Sequence, residues 1–305
     1  MKTFNTLRQK LPPQQDRGAR PSHPGLLLTR YLDGTVSVPE AGDNGKAGGD
    51  LIGASGELRD SVIAAAKRAG ATNGPYVSAF HRWQASLEAM DKSISGSAIH
   101  ECMKVNGRLI VGLGLDSVLE TGLALHHTYG VPIIPGSALK GLASHYCDRD
   151  WGYSNELSKD EQKTLPATQQ LLVEIADKFR TKTGEVHRHL FGDGQGAGHV
   201  VFHDAWVLPE SLRGGATGIL LDVMTPHHRG YNEDGKQPPT DFDDPNPVSF
   251  LSVSGKFLIA MSWECPEAFD ADASRWLKLT WRLLCDSLSQ WGVGGKTNSG
   301  YGRLA

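Results

Sequence analysis

Residues 129–146 read YGVPIIPGSALKGLASHY, and this stretch sets how the rest of the chain is parsed. Val131 to Pro135 is short, apolar and bounded by prolines, which suits an edge strand because proline cannot donate to a ladder. Gly136 then allows a tight turn, and Ser137 suits an N-cap. Ala138, Leu139, Leu142 and Ala143 follow with the 3.6-residue period of a buried helical face. The first amides of such a helix lack intrahelical acceptors and carry partial positive charge. Lys140 adds a full charge in the first turn, where the dipole alone would favour an acid. A phosphate suits that combination, although an ordinary helix with a solvated lysine has the same local sequence.

The end of the chain bears on that choice. Trp291 to Leu304 reads WGVGGKTNSGYGRL, with glycines, two cations and aromatic side chains gathered in one terminal loop. Such a loop exposes backbone N–H groups and lets them come close to a polyanion.

Composition bounds the rest. At 305 residues the chain can hold one elaborated domain or two, with 39% hydrophobic and 21% charged residues describing a globular protein. The formal net charge of -3 gives no global field that draws the chain to nucleic acid, so any such contact must come from a local cluster. Cys102, Cys147, Cys265 and Cys285 lie far apart, with no C-x-x-C pair and no secretion signal, and no apolar run approaches the roughly 20 residues that cross a bilayer. These features point to reduced cysteines and a cytoplasmic protein.

Taken in order, residues 1–25 show no period and are rich in Pro, Gln and Arg, which reads as a flexible tail. Residues 26–98 form an N-terminal helical extension packed on the core. Leu26 to Val38 suits a hairpin around Asp33-Gly34, residues 42–56 a glycine-rich link, and Leu58–Ala69 and Tyr76–Met90 two helices. Phe80, Trp83, Leu87 and Met90 recur at helical spacing as core. Residues 99–305 are the main domain. Glu101 to Leu113 reads as a hairpin around Asn106-Gly107, Gln169 to Phe179 as a helix, and His199 to Leu208 and Gly218 to Met224 as strands. Residues 227–247 form a long loop, Val248 to Trp263 a strand pair broken at Ser254-Gly255, and Ala273 to Gln290 an amphipathic helix. The order fits an α+β fold, an antiparallel sheet with helices on one face.

Several chemistries fit poorly. Gly295-Lys296-Thr297 resembles the end of a phosphate-binding P-loop, but the position that needs the first glycine is Gln290, and no strand precedes the loop. Among the 12 histidines, His199 and His203 share a strand face, and His187-x-His189 and the doublets His126-His127 and His227-His228 invite a metal reading. Two ligands are not a site, so these read as core or surface histidines, and no cofactor is expected. G-x-S-x-G is absent. Asp116 and Glu120, just upstream of the helix start, leave open a carboxylate-based endoribonuclease that positions a sugar hydroxyl for attack on the adjacent phosphate.

Three segments in this order, VPIIPGSALKGLASH, LFGDGQGAGHVVFHDA and GVGGKTNSGYGRL, resemble the signature segments of the RAMP superfamily of CRISPR proteins. DVMTPHHRGY at Asp222 to Tyr231 and GLGLDSVLETGLALHHTYG narrow the resemblance to subunits of type III-B (Cmr) effector complexes. It covers roughly residues 100–304. The resemblance implies a ferredoxin-like, RNA-recognition-type sheet elaborated by insertions, and a non-catalytic subunit that binds the guide crRNA by its backbone near the 3′ end and caps the filament for antiviral defence. Its partners would be crRNA, target RNA, the backbone RAMP subunit, the small helical subunit and the other 3′-end RAMP subunit, with no membrane. Gly292, Gly294, Gly295, Lys296, Gly300, Gly302 and Arg303 would grip phosphates without reading bases, with Thr297, Asn298, Ser299 and Tyr301 completing that loop. Gly136, Ser137 and Lys140 would hold a neighbouring phosphate, and the 227–247 loop would reach the guide–target duplex. Backbone subunits carry a cleaving aspartate upstream of the I-P-G-S segment, where this chain has Glu120.

Overall fold

The computed structural model of the chain describes residues 23–24, 48–115, 121–156, 183–193, 195–225, 247–265 and 269–305, with a few isolated positions besides. Most of the N-terminal tail, the hairpin expected at 26–38, the helix expected at 169–179, Asp116, Glu120 and most of the 227–247 loop lie outside the described residues.

The fold is built on an antiparallel sheet whose centre is β7 (Lys256–Trp263). Its run FLIAMSW is buried from Phe257 onward, so it reads as continuous apolar sequence rather than an alternation. On one side β7 pairs with β1 (Ala98–Asn106), with Ala98 opposite Ser262 and Lys104 opposite Lys256. On the other it pairs with β3 (Val200–Phe202) and β4 (Ala205–Val207). Beyond β4 lies β2 (Ile133–Ile134), and β8 (Arg303–Leu304) adds to the far side of β1, giving the order β2-β4-β7-β1-β8. The proline-bounded segment is thus the edge strand its sequence suits.

Two long helices pack together against this sheet. The first, α3 (Gly136–Glu156), follows β2 with a single proline between them; α5 (Ala271–Gln290) follows β7. The Asp270 carboxylate caps α5 by accepting from the Ala273 amide at 2.8 Å, and Leu277, Leu284 and Leu288 form its buried stripe. Upstream, α1 (Gly48–Ala69) lies against β5 (Gly218–Met224), and α2 (Pro75–Ser93) against β1. The helix begins inside the stretch expected as a glycine-rich link. Tyr76 is fully buried, stacked near Trp206, and its hydroxyl donates to the Val207 carbonyl of β4.

Three local expectations differ from the structure. The residues after Gly107 do not fold back on β1: Leu109 bridges Val253, and the chain runs on toward the C-terminal loop. The strand expected at 199–208 is interrupted at His203-Asp204, where Asp204 turns to serve another element. The 248–263 segment does give two strands, but β6 (Val248–Ser254) pairs with β5 in a separate two-stranded sheet while β7 joins the large one. Gly255 makes that divergence possible, with a φ of 133° that few side-chain-bearing residues adopt.

Tyr76→Phe keeps the ring and removes the donor to Val207. Stability should fall by roughly 1 kcal/mol, seen as a lower urea midpoint with an unchanged slope; an unaltered midpoint would mean that the hydroxyl contributes nothing.

Candidate functional site

The start of α3 is shaped by a close approach. A Cβ on Gly136 would fall on the Phe202 carbonyl oxygen, so only glycine fits where α3 begins against the β3–β4 connection. The Gly136 amide donates to Asp204 Oδ1 at 2.7 Å, and the amides of Ala138 and Leu139 both donate to the Pro135 carbonyl. The expectation that Ser137 caps the helix is therefore corrected: Ser137 is already inside it, and the carboxylate that complements the dipole comes from Asp204. Ser137 is exposed and Lys140 half-buried, with no ion pair to Lys140 among the described residues.

The terminal loop is tied to the body by its own backbone. Gly292 donates to Ser287, Gly295 to Ile110 at 2.8 Å, Gly300 to Thr297 and Gly302 to Arg108 at 2.7 Å, while Val293 donates to Gly302. These glycine amides were expected to face a phosphate; four of them instead hold protein carbonyls. The reason is steric. At Gly302, with a φ of 79°, a Cβ would fall on the Val293 carbonyl oxygen, so the glycine lets two backbone segments touch.

What remains open lies between those ties. Lys296 has a left-handed backbone (φ 57°, ψ 32°) and is followed by a 3₁₀ turn at Thr297–Ser299. Opposite-handed successive residues aim their N–H groups into one concavity, a nest that binds anions. The amides of Thr297 and Asn298 have no hydrogen-bond partner among the described residues. Asn298, Ser299, Gly300 and Arg303 are exposed, and Gly294, Gly295 and Lys296 lead into them. Tyr301 packs rather than projecting: its hydroxyl donates to Asp222 Oδ2 at 2.8 Å and its ring lies 6.1 Å from that of Phe250. Arg108, whose carbonyl receives Gly302, donates to Ser252 Oγ at 3.1 Å.

A continuous backbone ladder separates the two predicted points. Gly295 bonds Ile110, Val111 bonds Ala124, and Ala124 bonds Ile133, three residues before Gly136. Three rungs at strand spacing span roughly 15 Å. The terminal loop and β2, the strand that leads into α3, are therefore tied to one ladder.

Other polar clusters serve the fold. In the glycine-rich turn at 192–198, Asp193 accepts from the amides of Gln195 and Gly196 and pairs with Arg188 Nε at 2.6 Å, so an acid already occupies it. Ser144 Oγ (2.7 Å) and Asp148 (3.6 Å) both approach Nε2 of His187, not the opposite nitrogens that a relay needs; they fasten α4 (Thr183–Phe191) to α3. His199 stacks on Trp263 and lies 4.5 Å from His189, whereas His203 bonds Ser262 Oγ. Among the described residues no group of three His, Cys, Asp or Glu is placed to hold a metal ion. Asp204, Arg108 and Asp222 were not singled out from the sequence. The only local signal was Asp204, a lone acid directly after a short apolar strand.

Burial pushes the His126, His189 and His203 imidazoles below the ordinary histidine value of 6.5, in His189 helped by neighbouring His199. The unfolded chain then binds protons first as pH falls from about 6.5, so acid favours unfolding; stability is full above that value and is lost down toward the folded-state values. Melting temperature should fall between pH 7.5 and 5, and His203→Gln should make the fall shallower. An identical pH profile in that variant would discard His203 as a contributor.

Gly302→Ala should destabilise by more than Gly300→Ala. Both sites have positive φ, which costs about 1–2 kcal/mol for a non-glycine residue, but only the former also meets the Val293 carbonyl. Equal losses in chemical denaturation would show that the close approach is unimportant.

A family model described as the RAMP superfamily matches residues 102–305. The CRISPR system Cmr subunit Cmr6 of Pyrococcus furiosus is 33% identical over 238 residues, 68% of this chain and 67% of the relative. Among solved structures, the crystal structure of Cmr6 from Pyrococcus furiosus matches at 30% identity and a TM-score of 0.41, over 68% of this chain and 97% of that one. The cryo-EM structure of the type III-B Cmr-beta bound to cognate target RNA matches at 15% identity and a TM-score of 0.54, over 99% of this chain and 85% of that one, a likeness of fold.

Proposed function

The chain belongs to the RAMP superfamily, and on that premise we propose that it is an RNA-binding subunit of a type III-B CRISPR effector complex. It holds the guide strand by its phosphates near the 3′ end, for antiviral defence in the cytoplasm. The observation that carries this reading is the nest at Lys296–Asn298, unpartnered amides flanked by the cations Lys296 and Arg303, neither of which has an ion pair among the described residues. Backbone amides and point charges engage phosphate oxygens whatever the base, which is what a subunit serving variable guides requires. Lys140, in the helix that follows β2, takes a further phosphate along the same strand.

The strand order supports a ferredoxin-like core. β4-β7-β1-β8 is antiparallel throughout, with α3 following β1 and preceding β4, and α5 following β7 and preceding β8. β2, β3 and the β5–β6 sheet are then insertions. The role is holding and not cutting: the site offers hydrogen-bond donors and positive charge, and among the described residues its acids, Asp204 and Asp222, are engaged by an amide and a phenol. Its partners are crRNA, target RNA and the other subunits of the complex, the backbone RAMP subunit first among them. The names of the two relatives, a Cmr subunit and a Cmr assembly carrying target RNA, support this reading.

Replacing Lys140, Lys296 and Arg303 together by Ala should weaken guide RNA binding equally for unrelated spacer sequences. It should also make the slope of log affinity against log salt shallower by about 2, at roughly 0.7 per phosphate contact on a single strand. Wild-type affinity and slope in the triple variant would refute the assignment.

A further inference from the structure

Trp291 closes α5 and opens the terminal loop, with its half-buried indole set against the middle turns of α3. Tyr146 meets it edge-on, with ring centroids 4.9 Å apart; His145 lies 5.4 Å away, and the Arg149 guanidinium carbon stands 5.4 Å from the indole centre. The cluster has two sides: Tyr146 is buried, whereas His145 and Arg149 are exposed. Arg149 has no ion pair among the described residues and rests on the indole alone.

A planar cation and an imidazole beside a partly open indole make an environment for a flat, π-rich ligand with an anion attached. A nucleotide is such a ligand. Among the described residues the neighbouring face of α3 is open: Gly141, one turn before His145, is exposed and has nothing within 4 Å of where a Cβ would stand. Five residues past Trp291 lies Lys296, at the nest. Bases inside a duplex are already stacked on both faces, so away from a duplex end an unpaired base is the one that can use this surface, and any of the four has the π face it needs.

We propose that Trp291, His145 and Arg149 form a stacking site for one unpaired nucleobase of the RNA strand, with Arg149 and His145 reaching the phosphate attached to it. This rests on the reading of the terminal loop as a phosphate grip and adds to it a preference for single-stranded RNA.

The test uses the full chain, fluorescence anisotropy, and two probes of equal length, a fluorescein-labelled single-stranded RNA and a blunt RNA duplex. Trp291→Leu should weaken single-strand binding about tenfold and leave duplex binding unchanged. Trp291→Phe, which keeps a ring, should restore most of the loss. Arg149→Ala should reduce the salt slope on the single strand by about 0.7, and, being an exposed position, it carries the test alone if the leucine variant does not fold. Lys296→Ala with Arg303→Ala serves as the reference. Wild-type binding by Trp291→Leu and Arg149→Ala, beside weakened binding by the reference, overturns the stacking site while leaving the phosphate grip, and points to a protein partner for this face. Equal losses on single strand and duplex in Trp291→Leu also overturn it. Undiminished binding by the reference, by contrast, is a failure of the phosphate grip.

Discussion

Phe257 to Trp263 are sealed from water on both faces, and each peptide group in that strand must therefore find its partner in a neighbouring strand. The requirement draws β1 to one side and β3 and β4 to the other, and the remaining architecture follows from what those neighbours are attached to. β1 brings Arg108 and Ile110 to its far end, where the terminal loop is tied. β4 brings Asp204, which meets the first amide of α3. The two points at which positive charge collects are thus suspended from opposite flanks of one central strand.

Seen this way, the glycines of the terminal loop are assembly residues. Gly302 and Val293 touch backbone to backbone, and Gly295 and Gly302 hang from carbonyls of the segment after β1. Holding the loop on both sides leaves a short unclamped span, Lys296 to Ser299, whose concave amides are preorganised by the ties around them. An anion bound there meets a surface that needs no ordering on arrival, which is the usual way a small contact gains strength. Asp204 has the opposite effect at α3: by neutralising the helix start it leaves Lys140 as the cation available there.

Much of this was legible in the sequence where the signal is local. The α5 helix announced itself through the spacing of Leu277, Leu284 and Leu288, and β2 through its flanking prolines, and both stand where expected. The departures share one cause, the choice of a distant partner. Ser254-Gly255 looked like a turn within a strand pair, yet β6 and β7 go to different sheets because β5 and β1 claim them. Ser137 looked like a cap, yet the carboxylate that meets the helix start is Asp204, 68 residues beyond Gly136. Glycine content showed where the backbone could bend or approach closely, but the identity of the approaching atom, the Val293 or Arg108 carbonyl, depends on tertiary pairing that no spacing encodes.

The bond from Tyr301 to Asp222 joins the loop to the smaller sheet, since Asp222 sits in β5 and Tyr301 lies between Gly300 and Gly302. Arg108, reaching Ser252 of β6, makes a second brace a few ångströms of backbone away. The β5–β6 ribbon is thereby mechanically geared to the cation-bearing span: a torque that lifts the ribbon withdraws the carboxylate from the phenol and slackens the very residues that flank Lys296 and Arg303. Whatever load the ribbon bears is felt at the terminal loop.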